Sequence, residues 1–155
     1  MLPLGRIGIR AERGDDRLSR LTRAEQISLL TLWFISRSPL MMGGDLPTSP
    51  LETIELLTND EALAVLWHSR DNREVFRERD LVLWTAADTD GCTRYAAVFS
   101  LADAPQQVTV PLGSIGARPG DRIRELWTRT DTPHDSHCLR IDLPTHGAAL
   151  YRLSP

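Results

Sequence analysis

Residues 39–45 read Pro-Leu-Met-Met-Gly-Gly-Asp, and the expected architecture of the first half of the chain follows from them. The apolar run does not alternate with polar residues, which is typical of a parallel strand buried on both faces. Helix start patterns lie on either side of it. The order helix, buried strand, helix predicts an α/β repeat. Asp45 directly follows the strand, at the edge where α/β barrels place their chemistry.

The helix before this strand is predicted to begin after Thr22. Thr22 and Glu25 have the spacing of a capping box, in which a hydroxyl and a carboxylate each accept a backbone N–H of the first turn. Apolar side chains cover nearly the whole circumference of residues 27–35, so this helix needs neighbours on most sides. Beyond the strand, Ser49 followed by proline predicts a second helix start, and Asn59 predicts a third.

From residue 73 onwards the apolar pattern changes to the period of strands. In residues 107–112 and 138–143, apolar side chains alternate with polar ones or proline, as in half-buried strands. Short strands separated by turn patterns predict an antiparallel β-sandwich, with strands near residues 81–86, 94–101, 107–112, 122–128, 138–143 and 148–153. The predicted fold class is therefore α+β, with residues 1–72 and 73–155 as separate domains.

Composition excludes several classes of protein. The chain has 155 residues, of which 41% are hydrophobic and 25% charged, which is the profile of a globular protein rather than of a disordered or fibrous one. Its 18 basic residues, all arginine, against 21 acidic ones give a net charge of −3. We therefore expect neither a nucleic-acid nor a membrane partner. The first ten residues lack the apolar core of a signal peptide.

The histidine and cysteine residues predict no metal site. His134, His137 and Cys138 are the most conspicuous cluster, but two ligands with a third adjacent in a strand converge poorly on one ion. Cys92 and Cys138 match neither a disulfide framework nor a metal-binding motif. The polar stretch before Cys138 is instead typical of a hairpin tip, and no cofactor is expected.

Hydrolysis of a glycosidic bond needs two carboxylates on a rigid framework. Asp45 is the candidate at a barrel-strand end, although its position favours a helix-capping or loop-ordering role over a catalytic one. The aspartate pairs Asp15 and Asp16, Asp88 and Asp90, and Asp131 and Asp135 lie in polar stretches, where aspartate is typical of turns. Trp84 and Trp127 lie in predicted strands, where burial is expected and sugar stacking is the alternative.

Several segments together resemble a known family. In order and spacing, the first half resembles the end of the barrel of the melibiase-type α-galactosidases, glycoside hydrolase family 27, at residues 21–26, 32–33, 37–46, 56–59 and 63–65. The second half is similar to the C-terminal β-sandwich of the same enzymes at residues 79–86, 95–101, 122–127, 144–147 and 150–153. The resemblance covers nearly the whole chain.

This resemblance implies a (β/α)8 barrel followed by the sandwich, and retaining hydrolysis of terminal α-galactosides by an aspartate nucleophile and an aspartate acid/base. Neither aspartate has a counterpart here. The family motif Trp-x-Asp-x-Asp-Met-Leu is matched only in its last two letters, by Met1 and Leu2. Met1 would correspond to a methionine that lines the substrate pocket.

Length supports the same interpretation. A barrel alone takes about 250 residues, so this chain holds only the incomplete end of one, as a helix, a strand and a helix. We therefore expect a C-terminal fragment that is inactive alone and meets an α-galactoside only within a full-length parent. Two alternatives stay open: a stand-alone accessory or carbohydrate-binding module, and hydrolysis by Asp45 with another carboxylate of the chain.

Overall fold

The computed structural model describes residues 1–9, 14–135 and 137–155. The helices are α1 (Arg23–Ile35), α2 (Leu51–Leu57) and α3 (Asp60–His68). The strands are β1 (Arg6–Ile7), β2 (Arg17–Leu18), β3 (Ser69–Glu78), β4 (Leu81–Asp88), β5 (Arg94–Ser100), β6 (Gln106–Pro111), β7 (Arg122–Glu125), β8 (Thr130–Asp131), β9 (Cys138–Leu143) and β10 (Ala148–Ser154). No helix in this described part of the chain is long and apolar enough to cross a membrane.

The second half of the chain is an antiparallel β-sandwich. A six-stranded sheet in the order β3-β4-β5-β10-β7-β8 faces a two-stranded sheet of β6 and β9. Strands occur in all six segments where the sequence predicts them. The predicted α+β class, with helices first and an antiparallel sandwich after them, is confirmed.

The large sheet is covered on both faces, and β5 shows this best. Ala96 and Val98 point towards the small sheet, while Tyr95, Ala97 and Phe99 point towards the helices. Every residue of β5 after Arg94 is therefore buried. Because successive side chains of a strand face opposite sides, one strand contributes to two hydrophobic cores. The molecule has three layers: helices, large sheet and small sheet.

Helix α1 begins as predicted and lies on the outer face of the large sheet. The side chain of Thr22 accepts a hydrogen bond from the backbone N–H of Glu25, whose carboxylate in turn accepts the backbone N–H of Thr22 at 2.7 Å. Leu30 and Phe34 are fully buried against the sheet, whereas Leu32 on the other side is 38% exposed. The sheet thus covers about half of this largely apolar helix.

The predicted parallel strand at residues 39–44 is present as a single bridge rather than a ladder. Met42 pairs in parallel with Leu2, through a hydrogen bond of 2.7 Å from the N–H of Leu2 to the carbonyl of Met41 and one of 2.9 Å from the N–H of Gly43 to the carbonyl of Leu2. Residues 1–4 and 40–44 are thus adjacent parallel segments with α1 between them in sequence. This is the connection of a β-α-β unit.

Strand β3 is the main element that the sequence pattern does not predict. It is ten residues long, lies at the edge of the large sheet, and is mostly exposed. Its polar, arginine-rich sequence and two register shifts against β4 break the alternation that identifies strands. Charge and bulges are ordinary features of edge strands, because they discourage pairing with other chains.

Candidate site at the ends of two parallel segments

The two parallel segments end at the same edge of the molecule. Beyond the parallel Leu2–Met42 bridge, the first segment continues to Arg6 and the second to Asp45, and these two residues form an antiparallel bridge. The backbone N–H of Asp45 donates to the carbonyl of Arg6 at 2.7 Å. Arg6 and Asp45 are therefore fixed side by side at the carboxyl ends of the segments, which is where α/β barrels carry their reactive groups.

Asp45 caps the next turn of the chain. Its carboxylate accepts hydrogen bonds from the backbone N–H of Thr48 at 3.2 Å and from the Thr48 hydroxyl at 2.6 Å. These bonds close the short 3-10 helix Leu46–Thr48. The structure thus shows Asp45 in the capping geometry that its sequence position also favours, with the carboxylate half-exposed.

Ser49 has a role that differs from the predicted one. The sequence predicts it as the N-cap of a helix, yet α2 starts one residue later, with Pro50 at the cap position and no side-chain cap. The Ser49 hydroxyl instead accepts the backbone N–H of Arg6 at 3.1 Å and donates to the carbonyl of Asp45 at 2.7 Å. Ser49 thus joins the two segment ends, and a hydroxyl that makes these long-range hydrogen bonds is not available to cap α2.

Arg6 is held in turn by Asp16. Its guanidinium makes a two-pronged contact with the carboxylate, one bond being 2.9 Å from Nε to Oδ1. Hydrogen bonding by Arg6 keeps the pKa of Asp16 below its ordinary value. The sequence pattern predicts that Asp16 is a turn residue. No local pattern indicates the ion pair, because it joins residues ten positions apart.

Met1 and Met41 form an exposed apolar side of the two segments. Met1 is 81% exposed and Met41 62%. The Cβ atom of Met1 lies 3.3 Å from the place that a Cβ on Gly43 would occupy, so Met1 stands directly beside the second segment. Large apolar side chains exposed in this way mark a surface suited to contact with another surface.

Several carboxyl groups of the described residues have a lowered pKa. Every Asp or Glu with a resolved departure of its pKa has that pKa lowered, by hydrogen bonds from arginine side chains or from backbone and hydroxyl donors: Asp16, Glu25, Glu61, Glu74, Asp90, Asp131 and Asp135. A glycosidase acid instead needs a carboxyl group whose pKa is raised. The pKa shifts of these seven carboxyl groups are in the opposite direction.

The other aspartates lie in turns and ion pairs. Asp90 accepts the backbone N–H groups of Cys92 and Thr93 in the turn between β4 and β5. Asp131 pairs with Arg122 at 2.7 Å. These contacts give each carboxylate a local structural partner.

The histidine–cysteine segment connects β8 of the large sheet to β9 of the small sheet, so the predicted hairpin tip is wrong. Asp135 accepts the backbone N–H groups of His137 at 2.7 Å and Cys138 at 2.6 Å, and both cysteines of the chain are free thiols. Ser136 lies outside the described residues. Within them, no group of three or more His, Cys, Asp or Glu side chains is placed to hold a metal ion.

Trp127 lies beside a cleft on the helix side of the molecule. Its ring stacks on Phe34 with centroids 5.8 Å apart, and its indole N–H donates to Thr31 at 2.8 Å. The cleft measures about 330 Å³ and is lined by Trp127, Glu55 and two arginines. Trp127 is thus both a packing residue and part of an accessible surface.

Comparison with known proteins identifies the second half of the chain. Residues 78–153 match the family described as the α-galactosidase C-terminal β-sandwich domain. An α-galactosidase of Arabidopsis thaliana, α-galactosidase 2, is 26% identical over 139 residues, which are 86% of this chain and 35% of that protein. The sequence similarity therefore extends from the sandwich into the helical half.

Solved structures give the same result for the fold. The crystal structure of a family 27 β-L-arabinopyranosidase from Geobacillus stearothermophilus matches with a TM-score of 0.92 at 41% identity, covering 100% of this chain and 36% of that one. α-Galactosidase I of Mortierella vinacea matches in fold with a TM-score of 0.79 at 20% identity, covering 86% of this chain and 36% of that one.

The chain thus spans only about a third of the length of these proteins. The matches include the helices, the paired parallel segments and the sandwich in a single alignment. Residues 78–153 therefore belong to the family of α-galactosidase C-terminal β-sandwich domains, and the chain as a whole is similar to the C-terminal region of proteins of glycoside hydrolase family 27.

Proposed function

We propose that residues 1–155 supply the last elements of the catalytic barrel and the C-terminal sandwich of a retaining glycoside hydrolase, and that alone they hydrolyse no glycoside. The substrates of the complete enzyme are terminal pyranosides of galacto configuration, which include α-galactosides and β-L-arabinopyranosides. The Leu2–Met42 parallel bridge carries the barrel part of this proposal, since parallel segments joined through a helix are the repeating unit of such barrels.

The proposal places Met1 and Asp45 in different roles. Met1, exposed beside Gly43, contributes an apolar wall to the substrate pocket of the complete barrel. Asp45 holds the turn that follows the last strand segment and performs no chemistry. Inactivity of the chain alone is supported by the lowered pKa of each perturbed carboxyl group, because none of these groups is poised as an acid.

A chimeric enzyme tests the proposal. In the Geobacillus β-L-arabinopyranosidase, the part that matches this chain is replaced by residues 1–155. We expect the folded chimera to hydrolyse nitrophenyl β-L-arabinopyranoside or nitrophenyl α-galactoside, while residues 1–155 alone release no nitrophenol. A chimera that folds but hydrolyses neither substrate would contradict the proposal.

The same experiment compares the two substrates. The 41% identity to an arabinopyranosidase favours the arabinopyranoside, and the α-galactosidase relative, at 26% identity, favours the galactoside. The two sugars share the configuration of the ring hydroxyls and differ at the hydroxymethyl group. Met1→Ala in the chimera is expected to change the ratio of kcat/KM for the two substrates, whereas Asp45→Asn is expected to leave that ratio unchanged. Activity of residues 1–155 that is lost in Asp45→Asn would instead assign catalysis to Asp45.

Carbohydrate binding without hydrolysis is a second candidate function, favoured by the cleft beside Trp127. An indole ring next to Glu55 combines a stacking face with a hydrogen-bond acceptor. Titration of residues 1–155 with melibiose, followed by tryptophan fluorescence, tests this function. Absence of a change at millimolar sugar would exclude it.

A further inference from the structure

A groove of about 600 Å³ lies on the sandwich side of the large sheet. It exists because six strands are faced by only two, which leaves β3 and β4 partly uncovered. Arg73 and Thr85 form part of its floor, and they pair across β3 and β4. Thr85 also pairs with Ala96, which belongs to the sandwich core, so the floor faces away from the helices.

The wall of the groove is the turn at residues 113–116 together with Arg94. Gly116 has a φ of +73°, and a Cβ on it would lie 3.1 Å from Cδ of Arg94. The turn and the arginine side chain are therefore packed closely together. At Gly113, by contrast, an added Cβ would meet nothing within 4 Å, so the backbone there is open to the groove.

The groove has an excess of hydrogen-bond donors. Arg94 forms an ion pair with Asp121, whose carboxylate oxygen lies 3.7 Å from its Nη1, but its side chain makes no hydrogen bond to the described part of the chain. Within the same part, Arg73 forms neither a hydrogen bond nor an ion pair through its side chain. Each guanidinium has five N–H donors, and Asp71 is the only acidic residue of the lining.

A ligand that fits such a groove must bring acceptors and negative charge. Guanidinium groups bind carboxylates through two parallel N–H···O bonds, which gives both strength and direction. The hydroxyl of Thr85 and the carboxylate of Asp71 lie beside the arginines and suit the hydroxyl groups of a sugar. The volume lies within the range of small-molecule sites, about 300–1,000 Å³.

We propose that this groove binds an acidic sugar, through contact of Arg73 and Arg94 with the carboxylate of a hexuronate. The two arginines of the groove are the reason for expecting a carboxylate. That a sugar carries this carboxylate rests on the proposed function. In the complete enzyme the groove would hold an acidic glycan on the face of the large sheet opposite the helices, while the barrel cleaves a neutral terminal sugar.

Titration of the isotope-labelled chain with galacturonate tests the proposal. We expect backbone amide shifts in residues 113–116 and 85–87, and binding at least about tenfold tighter than that of galactose or acetate, since the first lacks the charge and the second lacks the ring. Arg73→Gln should weaken galacturonate binding at least about tenfold. Arg77→Gln, on the same strand but outside the lining, should leave it unchanged.

A steric variant provides a second test. Gly113→Leu fills the groove from a position with free space, so we expect loss of galacturonate binding with an unchanged melting temperature. The proposal is overturned if galactose or acetate binds as tightly as galacturonate, if Arg73→Gln binds like the wild type, or if the shifts map outside the groove. Activity of the chimera is measured on neutral nitrophenyl glycosides and tests the proposed function, whereas the galacturonate titration tests the groove. Each proposal can therefore fail without the other.

Discussion

At the scale of single residues, Gly44 shows how closely the two parallel segments approach. A Cβ on Gly44 would lie 2.1 Å from the carbonyl oxygen of Leu4 and 3.0 Å from that of Arg6. Both atoms belong to the backbone, so no side-chain movement relieves the contact. Because Gly44 has no side chain, the two segments can approach closely enough to place Arg6 beside Asp45.

We expect Gly44→Ala to lower the free energy of unfolding by about 1–3 kcal/mol, because the added methyl group forces the segments apart. Thermal unfolding followed by circular dichroism measures the change. Gly113→Ala is the matched control, since its methyl group meets no atom within 4 Å. Equal melting temperatures for the two variants would show that the segments do not lie this close together.

The ion pair between Glu61 and Arg124 joins α3 to β7. Two hydrogen bonds, of 2.6 and 2.8 Å, connect the side chains, which are only 19% and 20% exposed. We expect Glu61→Gln to reduce the free energy of unfolding at pH 7 by about 1–3 kcal/mol, since a partly buried guanidinium loses the closer of its two carboxylate partners and keeps only Asp131 at 3.5 Å. Asp60→Asn is the control, because Asp60 pairs with Arg129 on the surface and is 81% exposed.

The same pair has a defined pH dependence. Hydrogen bonding by Arg124 lowers the pKa of Glu61 in the folded state, whereas an unfolded glutamate has a pKa of about 4.3. The stabilisation is therefore complete above that value and is lost as the pH falls through the folded-state pKa. Urea unfolding at a series of pH values should show the difference between wild type and Glu61→Gln shrinking at acid pH. A difference that stays constant would rule out this charge effect.

Residues with local partners could be predicted from the sequence, and residues with distant partners could not. Asp45 bonds to Thr48 three positions away, and its capping role is visible in the sequence pattern. Ser49 bonds to Arg6 across 43 positions, so a capping rule assigns it a different role. The sequence therefore predicts where the two segment ends lie in the chain. The hydrogen bonds between them can be identified only from the folded structure.

At the scale of elements, the contact between α1 and the turn after β7 combines the stacking of Trp127 on Phe34 with one hydrogen bond. Thr31 is fully buried and accepts the indole N–H of Trp127. Thr31→Val keeps the shape but removes the acceptor, so we expect a loss of about 1–3 kcal/mol in the free energy of unfolding. Thr31→Ser keeps a hydroxyl and serves as the control, although it lacks a methyl group. Chemical unfolding followed by tryptophan fluorescence compares them; a smaller loss in Thr31→Val than in Thr31→Ser would contradict the role of the hydrogen bond.

Elements with complete local patterns form where the sequence predicts them. The capping box of Thr22 and Glu25 starts α1, and the two alternating segments form β6 and β9, the strands of the small sheet. Strand β3 is missed because an edge strand needs only one partner, and its polar side chains carry no apolar alternation. Partner strands and solvent, rather than local propensity, determine its conformation.

At the scale of the whole molecule, the large sheet is shared by both halves of the chain. α1 and α3 pack on one face of β5 and β10, and the small sheet packs on the other. A separation at residue 73 into independent domains would require the helices to leave an apolar sheet face exposed. The covered face predicts instead that both cores unfold in one cooperative transition.

Leu139→Ala tests this cooperativity from the side remote from the helices. Leu139 is fully buried on β9 in the small sheet, so its truncation should cost about 2–5 kcal/mol. Trp127, which stacks on Phe34 of α1, reports the helix side. If the cores are coupled, Leu139→Ala lowers the melting temperature measured by tryptophan fluorescence as much as the one measured by far-ultraviolet circular dichroism. Arg140→Ala, a substitution of an exposed residue on the same strand, is the control and should change neither melting temperature. A fluorescence transition that does not move in Leu139→Ala would show that the helical half unfolds on its own, because loss of the small-sheet core would then leave its packing intact.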